Sequence, residues 1–236
     1  MQNFTSVLLE QYKKQGSKEI LFFQKAGQYD IAITYQDLLE KSYCYTAKYV
    51  KQGIKAGDII ILVLQHSLDL IFAYFGAILA GAIPAIMPFL TEKLLPEKYQ
   101  QDFQSLVEII KPRAIVTYQE FKEEVFDHFA HKLPFVSILL CEQIVIKNEP
   151  LPNHLPGLDR KAEDIVLLQH SSGTTGLQKG VALSHQAVFR QLEHYAKAIR
   201  LDSQNDLIIS WLPLYHDMGL IACFLMPILW DVPLVL

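Results

Sequence analysis

Short apolar runs alternate with longer mixed stretches through most of the chain. Residues 59–64 (I-I-I-L-V-L) are apolar on both faces of an extended backbone. Such a strand belongs in a parallel sheet covered on both sides, since a half-exposed strand would alternate apolar and polar positions. Residues 85–87, 113–117 and 135–140 read as further strands, and 68–80, 96–110 and 119–131 as the helices between them. Strand and helix in alternation predict an α/β fold with doubly wound, mainly parallel sheet layers and covering helices. Right-handed crossovers are the default connection.

The ends differ. Thr5 or Ser6 is the expected N-cap of a first helix that runs to about Lys14 and stops at Gly16. Residues 19–23 and 29–33 read as two short strands in a hairpin around Gly27. Thr34, with Asp37 three residues on, opens a helix that carries Leu38, Ser42, Tyr45 and Tyr49 on one face and ends near Gly53. Residues 147–161 hold Pro150, Pro152, Pro156 and Gly157 and read as a surface linker. Residues 165–168 form a buried strand, and 185–199 a helix capped by Ser184. Residues 206–211 form another strand. The chain closes on V-P-L-V-L, expected to leave an apolar strand with an open edge. Two stretches, 68–90 and 218–236, are apolar enough to suggest a membrane span. Gly81, Pro84 and Pro88 interrupt the first, and Pro227, Asp231 and Pro233 the second, so neither is expected to cross.

With 236 residues, 51% hydrophobic and 19% charged, the chain can bury a core of one to two domains. A net charge of −4 gives no electrostatic case for nucleic acid or an anionic membrane. Cys44, Cys141 and Cys223 are scattered and odd in number, without disulfide or zinc spacing, which points to a reducing, cytoplasmic setting. Met1 leads into polar Gln2 and Asn3, and no secretory leader is expected.

Chemistry concentrates between Ser171 and Gly180, S-S-G-T-T-G-L-Q-K-G. Gly173, Gly176 and Gly180 permit tight turns that aim backbone N–H groups inward as an anion nest. Ser171, Ser172, Thr174 and Thr175 add hydroxyl donors, and Lys179 adds a positive charge with no acid to cancel it. The composition is that of a phosphate cradle, or else of a solvated surface loop. The Walker order is excluded because Lys179 stands between Gln178 and Gly180. The dinucleotide order is excluded because Ser171 occupies the place of its first glycine.

S-S-G-T-T-G-x-x-K-G closely resembles the phosphate-loop signature of the adenylate-forming (AMP-dependent) acyl ligases, with Gln178 where that family usually has proline. I-T-Y-Q-D-L and L-A-G-A-I-P resemble its first two core motifs. W-L-P-L-Y-H-D-M-G-L, from Trp211 to Leu220, resembles its acyl-pocket motif, in the form closest to the fatty-acyl-AMP ligases and long-chain acyl-CoA synthetases.

The resemblance implies the N-terminal part of a large adenylation domain. Residues up to about 205 would form a first α/β region and those from about 206 would cross into a second. The adenine-contacting segment, the ribose-binding acid and the mobile C-terminal domain are absent from these residues, so the 236-residue chain alone is expected to be inactive. The implied reaction is ATP-dependent activation of a carboxylic acid, a fatty acid by its look, to acyl-AMP and pyrophosphate. Transfer to CoA or to a carrier-protein phosphopantetheine thiol follows. Ser171, Ser172, Gly173, Thr174, Thr175, Gly176 and Lys179 would hold the nucleotide phosphates, Lys179 and His216 would act in catalysis, and Mg²⁺ would come with the nucleotide. Trp211, Tyr215, His216, Asp217, Met218 and Gly219 would form the acyl site, His216 beside the carboxylate or as pocket wall, Asp217 orienting its neighbours. A non-catalytic nucleotide- or acyl-binding module is the alternative. His170 either faces the site or packs elsewhere. His128 and His131 have metal-like spacing but no third ligand.

Overall fold

Asn3, rather than Thr5 or Ser6, opens the first helix. The computed structural model describes residues 3–90, 95–170 and 180–236. In α1 (Phe4–Gln15) the Asn3 carboxamide accepts the Ser6 N–H at 2.9 Å, and the Ser6 hydroxyl accepts the Asn3 N–H at 3.0 Å. This reciprocal capping box satisfies two donors that the first turn leaves free. Thr5 lies on the buried face instead, where its hydroxyl donates to the Ile78 carbonyl at 3.1 Å.

Strands β1 (Glu19–Phe23) and β2 (Ile31–Thr34) form the expected antiparallel hairpin, with Gly27 at φ 77° in the turn. Thr34 caps α2 (Tyr35–Lys51), accepting the Asp37 N–H at 3.0 Å, and Leu38, Ser42, Tyr45 and Tyr49 are all buried along it. Then come β3 (Ile59–Leu62), α3 (Leu68–Leu79), β4 (Ile83–Ile86), α4 (Pro96–Ile110), β5 (Ala114–Thr117), α5 (Gln119–Glu124) and β6 (Ser137–Leu140). The four strands form a parallel sheet in the order β4-β3-β5-β6. Ile60 and Leu62 pack on one face, beneath Tyr74 and Phe75 of α3. Ile61 and Val63 pack on the other, beneath Phe103 and Phe121 of α4 and α5. The doubly covered sheet that residues 59–64 predict is therefore present.

One helix is shorter than its pattern. Residues 119–131 leave α-geometry at Val125 (φ −120°, ψ −61°) and continue as two 3₁₀ turns, Phe126–His128 and Ala130–Lys132. Val125, Phe126, Phe129 and Leu133 all enter the same apolar cluster, and tighter turns accommodate that adjacent pair of buried side chains. Residues 147–161 are also more than a linker. They include a 3₁₀ turn, Pro156–Asp159, and the Asn3 amide donates to the Leu158 and Arg160 carbonyls at 3.2 and 2.6 Å.

The glycine-rich segment does not run straight into a helix. It connects β7 (Ile165–His170) to β8 (Gly180–Ser184), an antiparallel pair, and only then does α6 (His185–Ile199) begin, capped by Ser184 as expected. Strand β7 also runs beside β4. The predicted strand at 206–211 contracts to β9 (Ile208–Ile209). A π-helical turn (Met218–Leu225), α7 (Met226–Trp230) and β10 (Leu234–Val235) complete the chain. Strand β10 is paired on both sides, in the sheet order β2-β1-β10-β9. The expectation of an open edge at V-P-L-V-L is thus corrected: Val232 and Leu234 are fully buried, and the edge falls on β9, where Ile209 is 65% exposed. Among the described residues no helix is long and apolar enough to cross a membrane. The apolar stretch 68–90 contains the buried helix α3 and strand β4.

His185 links α6 to α1. Its Nδ1 accepts the Phe4 N–H at 3.2 Å, and its ring meets the Phe4 ring edge-on. Burial, and secondarily the Arg160 guanidinium, lower the imidazole from 6.5 to about 4, with Asp164 pulling the other way. A folded-state value below the unfolded one favours unfolding on protonation. Its contribution to stability is complete above about pH 6.5 and is lost as pH falls through that value toward the folded one. Thermal unfolding across this range should show the midpoint falling with pH. His185→Asn, which keeps an acceptor near Nδ1 and cannot titrate, should flatten part of that fall.

Candidate active site

The two sequence motifs meet through Gln169. Its side-chain amide donates to the Tyr215 carbonyl at 2.7 Å, joining the end of β7 to the segment 211–220. One residue further on, His170 pairs with Gly180 and closes the hairpin around the glycine-rich segment. Ser171, Ser172, Gly173, Thr174, Thr175, Gly176 and Lys179 lie outside the described residues. What is described is their frame: two antiparallel strands whose last pair fixes where the segment leaves and returns.

Beside this frame lies a cavity of about 730 Å³ between the hairpin, α6 and the π-helical turn. Val181, Leu183, Val188, Leu192, Ile221 and Ala222 supply apolar wall. His216, Asp217 and Met218 line its exposed side, so these three predicted residues are brought together at one mouth. The Asp217 carboxylate accepts the Met218 N–H at 2.8 Å and so starts the turn. The π-helical turn begins at Met218, directly after His216 and Asp217, and such turns recur at functional sites.

The other predicted acyl-site residues play different parts. Trp211 is 86% exposed and does not line the cavity. Tyr215 gives its carbonyl to Gln169 and lays its ring against His216, with centroids 4.9 Å apart. Gly219 is buried, and a Cβ there would collide with the Pro213 carbonyl oxygen. Its role is to let the turn close on the L-P-L backbone. His170 faces the cavity and is also packed, at 7% exposure. Burial lowers its imidazole from 6.5 to about 4, so the ring is neutral at physiological pH. The residues that sequence reasoning missed are Gln169 and the α6 face of Val188, Leu192 and Tyr195. The helical spacing of those three was a legible signal for a face, without saying what it faces. Among the described residues no three His, Cys, Asp or Glu side chains gather as metal ligands.

The fold of the described residues is one this chain shares with adenylate-forming enzymes of known structure. The structure of fatty acyl-adenylate ligase from L. pneumophila, in complex with acyl adenylate and pyrophosphate, superposes with a TM-score of 0.80 at 26% identity, over 100% of this chain and 39% of that one. A fatty acyl-adenylate ligase structure from a study of the E. coli and L. pneumophila enzymes gives 0.83 at 23% identity, which speaks to the fold alone, over 100% and 41%.

The chain belongs to the AMP-binding enzyme family, which it matches over residues 8–236. It is 28% identical over 211 residues to long-chain-fatty-acid–AMP ligase FadD28 of Mycobacterium tuberculosis, covering 87% of this chain and 35% of that protein. It is 30% identical over 225 residues to 4-coumarate–CoA ligase 2 of Petroselinum crispum, covering 90% and 39%. The chain therefore spans little more than a third of the length of these relatives.

Proposed function

We propose that this chain is the N-terminal part of an enzyme that activates a carboxylic acid, with a fatty acid as the favoured class, at the expense of ATP. A carboxylate oxygen attacks the α-phosphorus, the bond to the bridging oxygen breaks, and pyrophosphate leaves with the electron pair. The resulting acyl-AMP then meets a thiol, of CoA or a carrier-protein phosphopantetheine, which takes the acyl group and releases AMP. The supporting observation is the cavity itself: apolar walls begin at the pair His170–Gly180 that frames the phosphate segment and end at His216–Met218. A nucleotide and an apolar acid would thereby share one site.

The donor set fits a polyphosphate. Residues 171–179 carry four hydroxyls and one ammonium and no carboxylate, so their chemistry is that of an anion holder. Ser171, Ser172, Thr174, Thr175 and the backbone at Gly173 and Gly176 would grip the phosphates, and Lys179 would offset the charge growing on the leaving pyrophosphate. Mg²⁺ would enter with the nucleotide and share that charge. The described residues would position the acid: His216 at the mouth, held by Tyr215, with Asp217 orienting the turn. Three free cysteines fit a reducing, cytoplasmic setting.

ATP–pyrophosphate exchange by the full-length protein, run against fatty, aryl and amino acids, tests this reading. Exchange with medium or long fatty acids is expected, and exchange with none of the acids would reject it. His216→Ala is expected to redistribute activity among the acids while ATP affinity stays within about threefold. A large loss of ATP binding with unchanged acid preference would show that His216 serves the nucleotide.

A further inference from the structure

Among the described residues that line the cavity, His170 is a buried polar group without a partner. His170 is 7% exposed, and neither ring nitrogen has a hydrogen-bond partner among the described residues. Gln169 beside it uses its amide on the Tyr215 carbonyl, leaving His170 as the buried polar side chain with unused capacity at this end of the cavity. A buried group left without a partner costs stability that an apolar residue of similar shape would not. A ligand that supplies the missing bond is one explanation for such a residue. The surrounding wall of Val181, Val188, Leu192 and Ile221 would hold the apolar body of that ligand.

We propose that His170 is a specificity-determining residue that contacts the acid substrate and selects acids whose apolar chain carries a hydroxyl or oxo group. This rests on the ligase reading for the identity of the ligand as an acid. A neutral imidazole offers one donor and one acceptor, which suits a hydroxyl in both directions and an oxo group in one. The ring nitrogens themselves are sealed from solvent in the free protein. Contact with the ligand would require a half-turn about χ2, which exchanges the nitrogens with the ring carbons at almost constant shape. Plain chains would fill the same wall and leave the imidazole unpaired, and they are disfavoured by that difference.

The test is equilibrium binding by calorimetry, using decanoic acid and a series of hydroxy- and oxodecanoic acids with the substituent stepped along the chain. At least one substituted acid is expected to bind about 5- to 100-fold tighter than decanoic acid. His170→Phe should bring that acid to the level of decanoic acid and leave decanoic acid within about twofold, with an unfolding midpoint unchanged or raised. His170→Leu makes the same test should the Phe variant not fold. Equal affinity for all acids in the native protein overturns the proposal. So does equal weakening of plain and substituted acids by both variants, which would mark His170 as structural. Pyrophosphate exchange is measured separately. Selective binding without exchange rejects the ligase reading alone, whereas exchange without selectivity rejects the role of His170 alone.

Discussion

Replacing Lys179 by alanine is expected to slow acyl-AMP formation by about 10- to 1000-fold while sparing thiol transfer. Residues 171–180 contain a single cation, so no neighbour within the segment can substitute for it. The strand pair closes at His170 and Gly180, and Gly180 follows Lys179 directly in the sequence. In the proposed first half-reaction negative charge would accumulate on departing pyrophosphate, and a charge-assisted contact there would be worth more in the transition state than in bound ATP. In the second half-reaction pyrophosphate has left, and the leaving group is AMP. The measurement compares pyrophosphate exchange with thiolysis of synthetic acyl-AMP by the full-length variant. Comparable losses in both would mean that Lys179 supports the fold or the acyl group, not the phosphates.

That prediction can be framed from sequence because residues 171–180 carry their hydroxyls, glycines and single cation in residue order. Much of the parallel layer was legible for a related reason. Residues 59–64 are apolar at every position, and only a sheet covered on both faces can absorb such a run. Thr34 with Asp37 marked the start of α2 correctly because a capping box is local. Asn3 was overlooked, although Ser6 stands three residues on, because the reciprocal partner is a serine rather than the usual Glu or Gln. Strand β8 escaped notice because V-A-L before Ser184 is short and exposed to intermediate in burial, and so lacks the pattern of a buried strand.

Long-range pairing was the least accessible. Nothing local says that Leu234 will sit between Leu21 and Ile208, which is why an open edge was expected at the end of the chain. The cavity mixes both cases. His216, Asp217 and Met218 were found by motif, but motif membership could not separate side chains that line the cavity from Trp211, which faces solvent, or from Gly219, which packs. That distinction depends on how the segment 211–220 folds back on itself, and Gly219 decides it.

Gly219→Ala is therefore expected to cost about 1–3 kcal/mol of stability and to reduce acid activation by roughly 100-fold. The added Cβ would meet the Pro213 carbonyl oxygen directly, and the Pro213 carbonyl carbon and Leu212 oxygen at 3.0 and 3.1 Å. These are backbone atoms of the same motif and cannot swing aside as a flexible side chain would. Relief requires the π-helical turn to move away, carrying His216, Asp217 and Met218 from the cavity mouth. A displacement of about 1 Å at a positioning residue is enough for a loss of that size. Two further glycines separate this mechanism from a general effect. Gly27→Ala meets nothing within 4 Å but holds φ at 77°, so it should cost about 1 kcal/mol through backbone strain and leave activity alone. Among the described residues Gly180→Ala would meet only the edge of the His170 ring, at 3.5 Å, an ordinary contact, and should change stability little. Thermal unfolding and pyrophosphate exchange on all three variants settle the matter. A Gly219→Ala protein with full exchange activity would show that the turn yields without moving the site, and that the position of His216 is not set by Gly219.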